Sequence, residues 1–399
     1  MSSKFSQNGG EDMLMLNLAN RLDGFTECRI RDMTRLAQQH HAINLAQGYP
    51  DFDPPADLVE AAHQSLRDGY HQYSLTWGSS NFRAALARKQ SRLMGLSLDP
   101  ASDITVTCGS TEAMIASLMT TCSPGDTVIV FSPFYESYVA DLHLCGAKPI
   151  FVNLYPPDFR FEIEELRAAF ASGAKALILC NPLNPTGRVF THAELQVIAE
   201  LAQEYNAYVI TDEVYEHIVY TPSRHCYIAS LPGMFERTIS CGSLSKTYSI
   251  TGWRLGYAIA PPQITDGIRK VHDFLTVGAP NPLQEAAVHA LEYPDSYYEQ
   301  LANDYTRRRD LFLGYLDELG LPYTRPEGAY FVLVDISSCG FSSDFKFCQW
   351  LVREVGIAAV PGSVFFHHPV NNFVRFHFSK RDETLVAAGE QLLAIHERV

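Results

Sequence analysis

The sequence predicts an α/β fold: a mostly parallel seven-stranded sheet covered by helices, joined to a smaller α+β domain. Three observations predict it. Between residues 103 and 260, seven short apolar runs alternate with helical segments, the pattern of strands that return in one direction. A polar or small residue stands at the downstream end of nearly every run, where open α/β sheets bind their ligands. After Pro261 the alternation is lost, and long helices are mixed with isolated strands.

Composition sets the bounds. A chain of 399 residues holds about two or three domains and can bury a large core. An apolar share of 46% with 19% charged residues suits a globular enzyme and argues against long disordered tracts. The net charge is −14 and no basic block interrupts the chain, so nucleic acid and anionic membranes are poor partners. No run of about 18 apolar residues occurs. Met1 to Met13 is polar with Glu11 and Asp12, which reads as neither a secretory nor a mitochondrial signal; a cytoplasmic location is expected. The nine cysteines lack C-x-x-C spacing and read as reduced thiols. His40-His41 and His367-His368 are adjacent rather than one helical turn apart, and no metal is expected.

Taken in order, residues 1–12 are expected to be flexible, and 13–47 to form a segment that packs with the small domain. Thr26 to about Gln39 reads as a helix with Ile30, Met33, Leu36 and Ala37 on one face. Gly48 to Pro55 breaks regular structure, and Gly48 would let a ligand approach the backbone. Helices follow at Leu58–Leu66 and Asn81–Met94, with an aromatic and polar loop from Tyr70 to Gly78 between them. The strand candidates are Ile104–Val106, Thr127–Phe131, Pro149–Val152, Ala176–Leu179, Tyr208–Ile210, Thr238–Ser240 and Leu255–Ile259. With helices from Ile264 to about Tyr293 they complete a large domain over 48–293. The small domain, 294–399, holds a long amphipathic helix from Tyr297 to Leu319, strands at Gly328–Asp335 and Val374–Phe378, and helices at Phe345–Glu354 and Asp382–His396.

Several residues suit a site, and each has a plainer reading. Lys246 sits among Ser243, Ser245, Thr247 and Ser249 with no carboxylate within five residues; an amine there loses its proton easily and can form a Schiff base. Alone it reads more readily as a surface lysine. Arg254 is a fixed cation suited to a phosphate. Gly109-Ser-Thr-Glu112 starts a helix whose free amides, with the Ser110 and Thr111 hydroxyls, make an anion site or an ordinary capped helix start. Asp212 ends an apolar strand, where it faces a cation such as a protonated pyridine or caps a helix. Tyr215 and Asn184 either reach the crevice or serve as structural hydrogen-bonders. Tyr135 stacks on a planar ligand or fills the core. Arg375, between Val374 and Phe376, points into a site to bind a carboxylate through two parallel bonds, or stands on a solvated edge.

Together, Ser243-Leu-Ser-Lys246 with Arg254, Asn184-Pro-Thr-Gly187, Asp212-Glu-Val-Tyr215, Gly109-Ser-Thr-Glu112 and Arg375 resemble the class I/II aminotransferases, fold type I pyridoxal 5'-phosphate enzymes. Asn44 to Phe52, Asp212 to His217 and Lys270 to Thr276 resemble the branch that holds methionine aminotransferase, glutamine transaminase K and kynurenine aminotransferases. The resemblance implies that Lys246 holds the cofactor and later moves the proton, that Asp212 pairs with the pyridine nitrogen, and that Tyr215 and Asn184 bond the 3-oxygen. It implies that Tyr135 stacks on the ring and that Ser110, Thr111, Ser243 and Arg254 hold the phosphate. It also implies a homodimer in which Tyr73 completes the neighbouring site, a substrate carboxylate clamped by Arg375 beside the Gly48 backbone, and cis bonds before Pro133 and Pro185.

The implied reaction is ping-pong transfer of an α-amino group from a sulfur-containing, aromatic or amide amino acid to a 2-oxo acid. Where kynurenine-type relatives carry an aromatic pair, this chain reads Val277-Gly-Ala-Pro-Asn-Pro-Leu-Gln284, which argues against an aromatic-only pocket. No arginine stands out for a side-chain carboxylate, which disfavours aspartate. The rival readings are a C–S β-lyase on the same scaffold and a non-catalytic protein that binds the cofactor.

Overall fold

A computed structural model of the protein describes residues 19–22 and 27–397. The expected flexible stretch, 1–12, and Thr26 lie outside them. The first helix, α1 (Arg29–Gln39), buries Ile30, Met33 and Ala37, the spacing of one helical face. It leads into β1 (Ile43–Asn44), which pairs in parallel with Ile357–Ala358, so the chain before Gly48 is tied to the C-terminal third. Helices α2 (Ala56–Arg67) and α3 (Ser80–Met94) follow, the latter capped by Ser79 and ended by Gly95 at a φ of 66°.

The large sheet then forms from β2 (Ile104–Cys108), β3 (Thr127–Ser132), β4 (Lys148–Asn153), β5 (Ala176–Cys180), β6 (Tyr208–Asp212), β7 (Thr238–Ser243) and β8 (Leu255–Ile259). Its order is β2-β8-β7-β6-β5-β3-β4. Only β8 runs against its neighbours, β2 and β7. The strands of the middle are buried throughout, because helices cover both faces, and so they read as unbroken apolar runs. The helices between strands are α4 (Gly109–Thr121), α5 (Ser137–Cys145), α6 (Ile163–Ala171) and α7 (His192–Glu204), the last opened by a reciprocal cap between Thr191 and Glu194. No helix follows Asp212: a turn runs on to the short 3-10 helix Ile228–Ser230, so the carboxylate is not a helix cap.

Beyond Pro261 come α8 (Pro262–Leu275), α9 (Asn281–Leu291) and α10 (Asp295–Glu318). A four-stranded antiparallel sheet, in the order β12-β13-β10-β9, then forms from β9 (Tyr323–Thr324), β10 (Phe331–Asp335), β12 (Val360–Pro361) and β13 (Phe373–His377); β11 is the Ile357–Ala358 partner of β1. The expected helix at Phe345–Glu354 is α11 (Asp344–Trp350) followed by a π turn, Leu351–Val355, and α12 (Asp382–Leu393) closes the fold. The bonds before Pro133 and Pro185 are cis. No helix of the described residues is long and apolar enough to cross a membrane.

Because β2 and β3 to β7 share one direction, their carboxyl ends lie along one edge. Gly109, Ser132, the Asn181–Gly187 turn, Asp212 and Ser243 therefore meet there. Strand β13, reaching over from the smaller sheet, faces the same edge through Arg375.

Candidate active site

A cavity of about 230 Å³ opens at that edge. Lys246, Asp212, Tyr215, Asn184, Tyr135, Ser110, Thr111, Ser243, Arg254, Arg375 and Gly48 all line it. Of the residues singled out in the sequence only Tyr73 does not; it stands 83% exposed on the outer surface.

Lys246 follows β7 in a turn of small residues and is half-buried. Its Nζ donates to the Gly48 carbonyl at 3.2 Å, which also accepts from the Tyr330 hydroxyl at 2.9 Å. Burial, helped by the positive charges of Arg254 and Arg375, pushes the amine down to about 8, although Asp212 opposes the shift. The neutral form is therefore far more accessible near neutrality than for an ordinary lysine, and a neutral amine is what nucleophilic attachment and proton transfer need. A side chain at position 48 would meet the Phe331 ring at 2.8 Å, so glycine is required for the backbone to come this close.

Asp212 closes β6, buried. The Tyr138 hydroxyl donates to its Oδ2 at 2.7 Å and the Val214 amide to its Oδ1 at 3.4 Å. Burial raises its carboxyl, while these donors and Lys246 hold it down. Tyr135 packs edge-on against Tyr138 with ring centres 5.8 Å apart, and both lie just after β3.

The anion cradle is built where α4 starts. Gly109 takes a φ of 78°, and a side chain on it would meet Arg254 Nη2 at 2.3 Å. Arg254 donates to the Thr251 and Cys108 carbonyls at 3.1 and 3.3 Å and so lies across the helix start. Glu112 does not compete for the cradle. It turns back to the Cys108 amide at 2.6 Å and to His272 at 2.7 Å. Ser243 is spent on the backbone, donating to the Leu255 carbonyl at 3.0 Å, whereas the buried Ser245 hydroxyl has no partner among the described residues.

Arg375 is almost wholly buried, 1% exposed, and faces Leu333 and Val360 across the sheet. Its Nη1 donates to Asn184 Oδ1 at 2.7 Å and Nη2 to the Ala46 carbonyl at 2.9 Å, and the guanidinium is sandwiched by Phe331 and Phe365. Burial lowers it to about 10. Its Nε has no partner, and no carboxylate pairs with it among the described residues. A cation held in this way lacks an anion, and a carboxylate ligand would supply one.

The donor set fits pyridoxal phosphate. A helix start flanked by Arg254, Ser245, Ser110 and Thr111 suits the phosphate, Asp212 can accept from a ring N–H, and Lys246 can reach a carbonyl carbon. Tyr138, Ser245, Phe331, Tyr330 and Arg31 were not singled out in the sequence. Ser245 was visible as a hydroxyl beside the lysine, but Tyr138 and Arg31 are ordinary helical residues until the chain folds.

A half-buried lysine with a buried carboxylate and arginine around an anion cradle, at the carboxyl edge of such a sheet, defines a fold type I pyridoxal phosphate enzyme. The chain belongs to the class I and II aminotransferases, whose family model matches residues 40–390. It is 40% identical over 361 residues to a methionine aminotransferase of Escherichia coli, covering 90% of this chain and 94% of that one. It is 34% identical over 409 residues to human kynurenine–oxoglutarate transaminase 1, covering 94% and 97%. Among solved structures, an Escherichia coli methionine aminotransferase superposes with a TM-score of 0.91 at 38% identity, covering 94% of this chain and 99% of that one. N-succinyldiaminopimelate aminotransferase of Mycobacterium tuberculosis superposes with a TM-score of 0.92 at 36% identity, covering 95% and 100%. The protein is a pyridoxal phosphate-dependent aminotransferase of amino acids.

Proposed function

We propose that the donor is a sulfur-containing, aromatic or amide amino acid, of the methionine, glutamine, phenylalanine or kynurenine type, and the acceptor a 2-oxo acid. The enzyme works as a cytoplasmic homodimer, with Tyr73 completing the neighbouring site. Residues 48–293 carry the cofactor, and 294–399, with the segment up to residue 47, cover it. The observation that carries this reading is the pair of Lys246 and Arg375 on one cavity, an amine of lowered affinity for protons and an unmatched carboxylate clamp. The names of the methionine and kynurenine enzymes among its relatives support the substrate range.

Each residue then has a task. Arg375 and the backbone at Gly48 orient the α-carboxylate, and Asn184 holds Arg375 in place. Pyridoxal phosphate, when bound, supplies the electron sink for the charge left as the Cα proton departs. Lys246 would hold the cofactor and would carry that proton on its Nζ as general base and acid. Asp212 accepts from the ring nitrogen and keeps a proton there, with Tyr138 orienting its other oxygen. Tyr215 and Asn184 would bond the 3-oxygen, Tyr135 would cover the ring face, and Ser110, Thr111 and Arg254 would hold the phosphate, with the unpartnered Ser245 hydroxyl taking the place expected of Ser243, whose own hydroxyl donates to Leu255.

The test is the visible absorption of the purified holoenzyme before and after each of methionine, glutamine, phenylalanine, kynurenine and aspartate without 2-oxo acid. Bleaching of the cofactor band by one or more of the first four is expected. A band that persists while pyruvate accumulates from a cysteine conjugate would replace transfer with β-lyase chemistry.

A further inference from the structure

Four cationic side chains line the cavity, Arg31, Lys246, Arg254 and Arg375, against a single carboxylate, Asp212. The reading above uses three. Lys246 is committed to the cofactor, Arg254 to its phosphate and Arg375 to the substrate α-carboxylate. Arg31 is left over.

Its position is fixed by the fold rather than by chance exposure. It sits in the first turn of α1, a helix anchored on the core by buried Met33 and Ala37, with Ile30 beside it on the cavity. The carboxylates near it are engaged elsewhere. Glu27, which feels the Arg31 charge, is held by Arg35 at 2.7 Å. Asp32 is paired with Arg29 and Arg35. Glu136 accepts from the Cys28 thiol and from the Arg29 amide at 3.4 Å. Arg31 itself makes no side-chain hydrogen bond or ion pair among the described residues.

Resting on the aminotransferase reading, we propose that Arg31 is a specificity residue that receives the distal carboxylate of a dicarboxylic substrate, a 2-oxo dicarboxylic acid as amino acceptor. Arg375 takes the α-carboxylate, and the apolar walls, Ile30, Val214 and Phe331, flank the carbons between. A monocarboxylic donor such as methionine leaves Arg31 in water at no cost, because the side chain is solvated. One cavity therefore serves a neutral donor and an acidic acceptor without an apolar pocket ever having to bury a charge.

The test compares wild-type holoenzyme with Arg31→Gln and Arg31→Lys. Titration calorimetry measures binding of glutarate and of butyrate, which cannot react, and kinetics give kcat/KM for 2-oxoglutarate and for a monocarboxylic 2-oxo acid of similar length. Wild type is expected to prefer glutarate, and Arg31→Gln to lower the glutarate-to-butyrate selectivity by about threefold to fivefold, the upper size of a solvated ion pair. Arg31→Lys should restore part of it, and added salt should erode it. A selectivity that Arg31→Gln leaves unchanged, or a loss that falls equally on both ligands, would overturn the proposal. Failure of the functional reading looks different: no amino acid would bleach the wild-type cofactor band, whatever the binding ratio.

Discussion

Arg375 and Asn184 meet inside the cavity, Nη1 donating to Oδ1 at 2.7 Å, and this bond links the smaller sheet to the Pro-rich turn after β5. In the proposed reaction one residue of the pair clamps the substrate and the other fixes the clamp. Arg375→Lys, which keeps the charge and loses the fork, is expected to lower kcat/KM by roughly thirtyfold or more, since spoiling a buried charged pair costs about 2–5 kcal/mol. Asn184→Ala leaves a buried donor unmet at a cost of about 1–3 kcal/mol. Steady-state kinetics with melting curves check both, and an Arg375→Lys enzyme with wild-type KM would remove the clamp from the mechanism.

Lys246→Ala should reduce turnover to background while the fold survives, because the half-buried amine has the Gly48 carbonyl as its protein partner. Borohydride treatment of wild type should fix the cofactor on the chain, and peptide mass spectrometry should place it on Lys246. Attachment elsewhere would refute the assignment.

The same lysine gives a pH signature in protein stripped of cofactor. Its folded value is about 8 against an ordinary 10.5, so between these values the unfolded chain holds a proton that the folded chain lacks. Stability therefore rises with pH across that window, and below about 8 the burial penalty is fully felt. Lys246→Met should be the more stable protein at pH 7, and its advantage should shrink as pH climbs towards 10.5. Denaturant melts of the two proteins at several pH values check it; an advantage that grows with pH would contradict the sign.

Tyr138→Phe removes the hydroxyl that donates to Asp212 at 2.7 Å. With that donor gone, burial raises the carboxyl further. The acid limb of the kcat profile should move to higher pH, and kcat should fall about tenfold, a single hydrogen bond to a charged group. A simple loss of stability would lower yield without moving the limb.

Asp51, three residues beyond Gly48, accepts from the Arg381 amide at 2.6 Å and the Thr384 hydroxyl at 2.7 Å, at the start of α12. It ties the Gly48 loop to the C-terminal helix. Asp51→Ala should cost about 1 kcal/mol, the usual worth of such a cap, and raise KM more than it lowers kcat. Melting and kinetics read the two effects separately, and an unchanged KM would leave Asp51 a purely structural cap.

The large sheet was legible because strands covered on both faces leave continuous apolar runs, from Val128 to Phe131 and from Ala176 to Cys180. The reversed direction of β8 was not, since its residues look like those of any buried strand and only pairing sets its sense. Site residues at strand ends, Asp212 and Lys246, stood out as polar groups in apolar surroundings. Those on helices did not: Tyr138 and Arg31 gain meaning only from what folds against them, and Tyr73 is exposed on one copy of the chain. The π turn at Leu351–Val355 escaped notice because it keeps the apolar spacing of a helix.

The place of β8 has a consequence for how the enzyme is made. Residues 104–108 find their ladder only in residues 255–259, so a chain emerging from the ribosome carries an unpaired β2 through most of the synthesis of this sheet. The cradle straddles the same seam, with Gly109 just after β2 and Arg254 just before β8. A chain that stops short of this point lacks both Arg254 and the partner of β2, so the cradle is complete only once the sheet has closed.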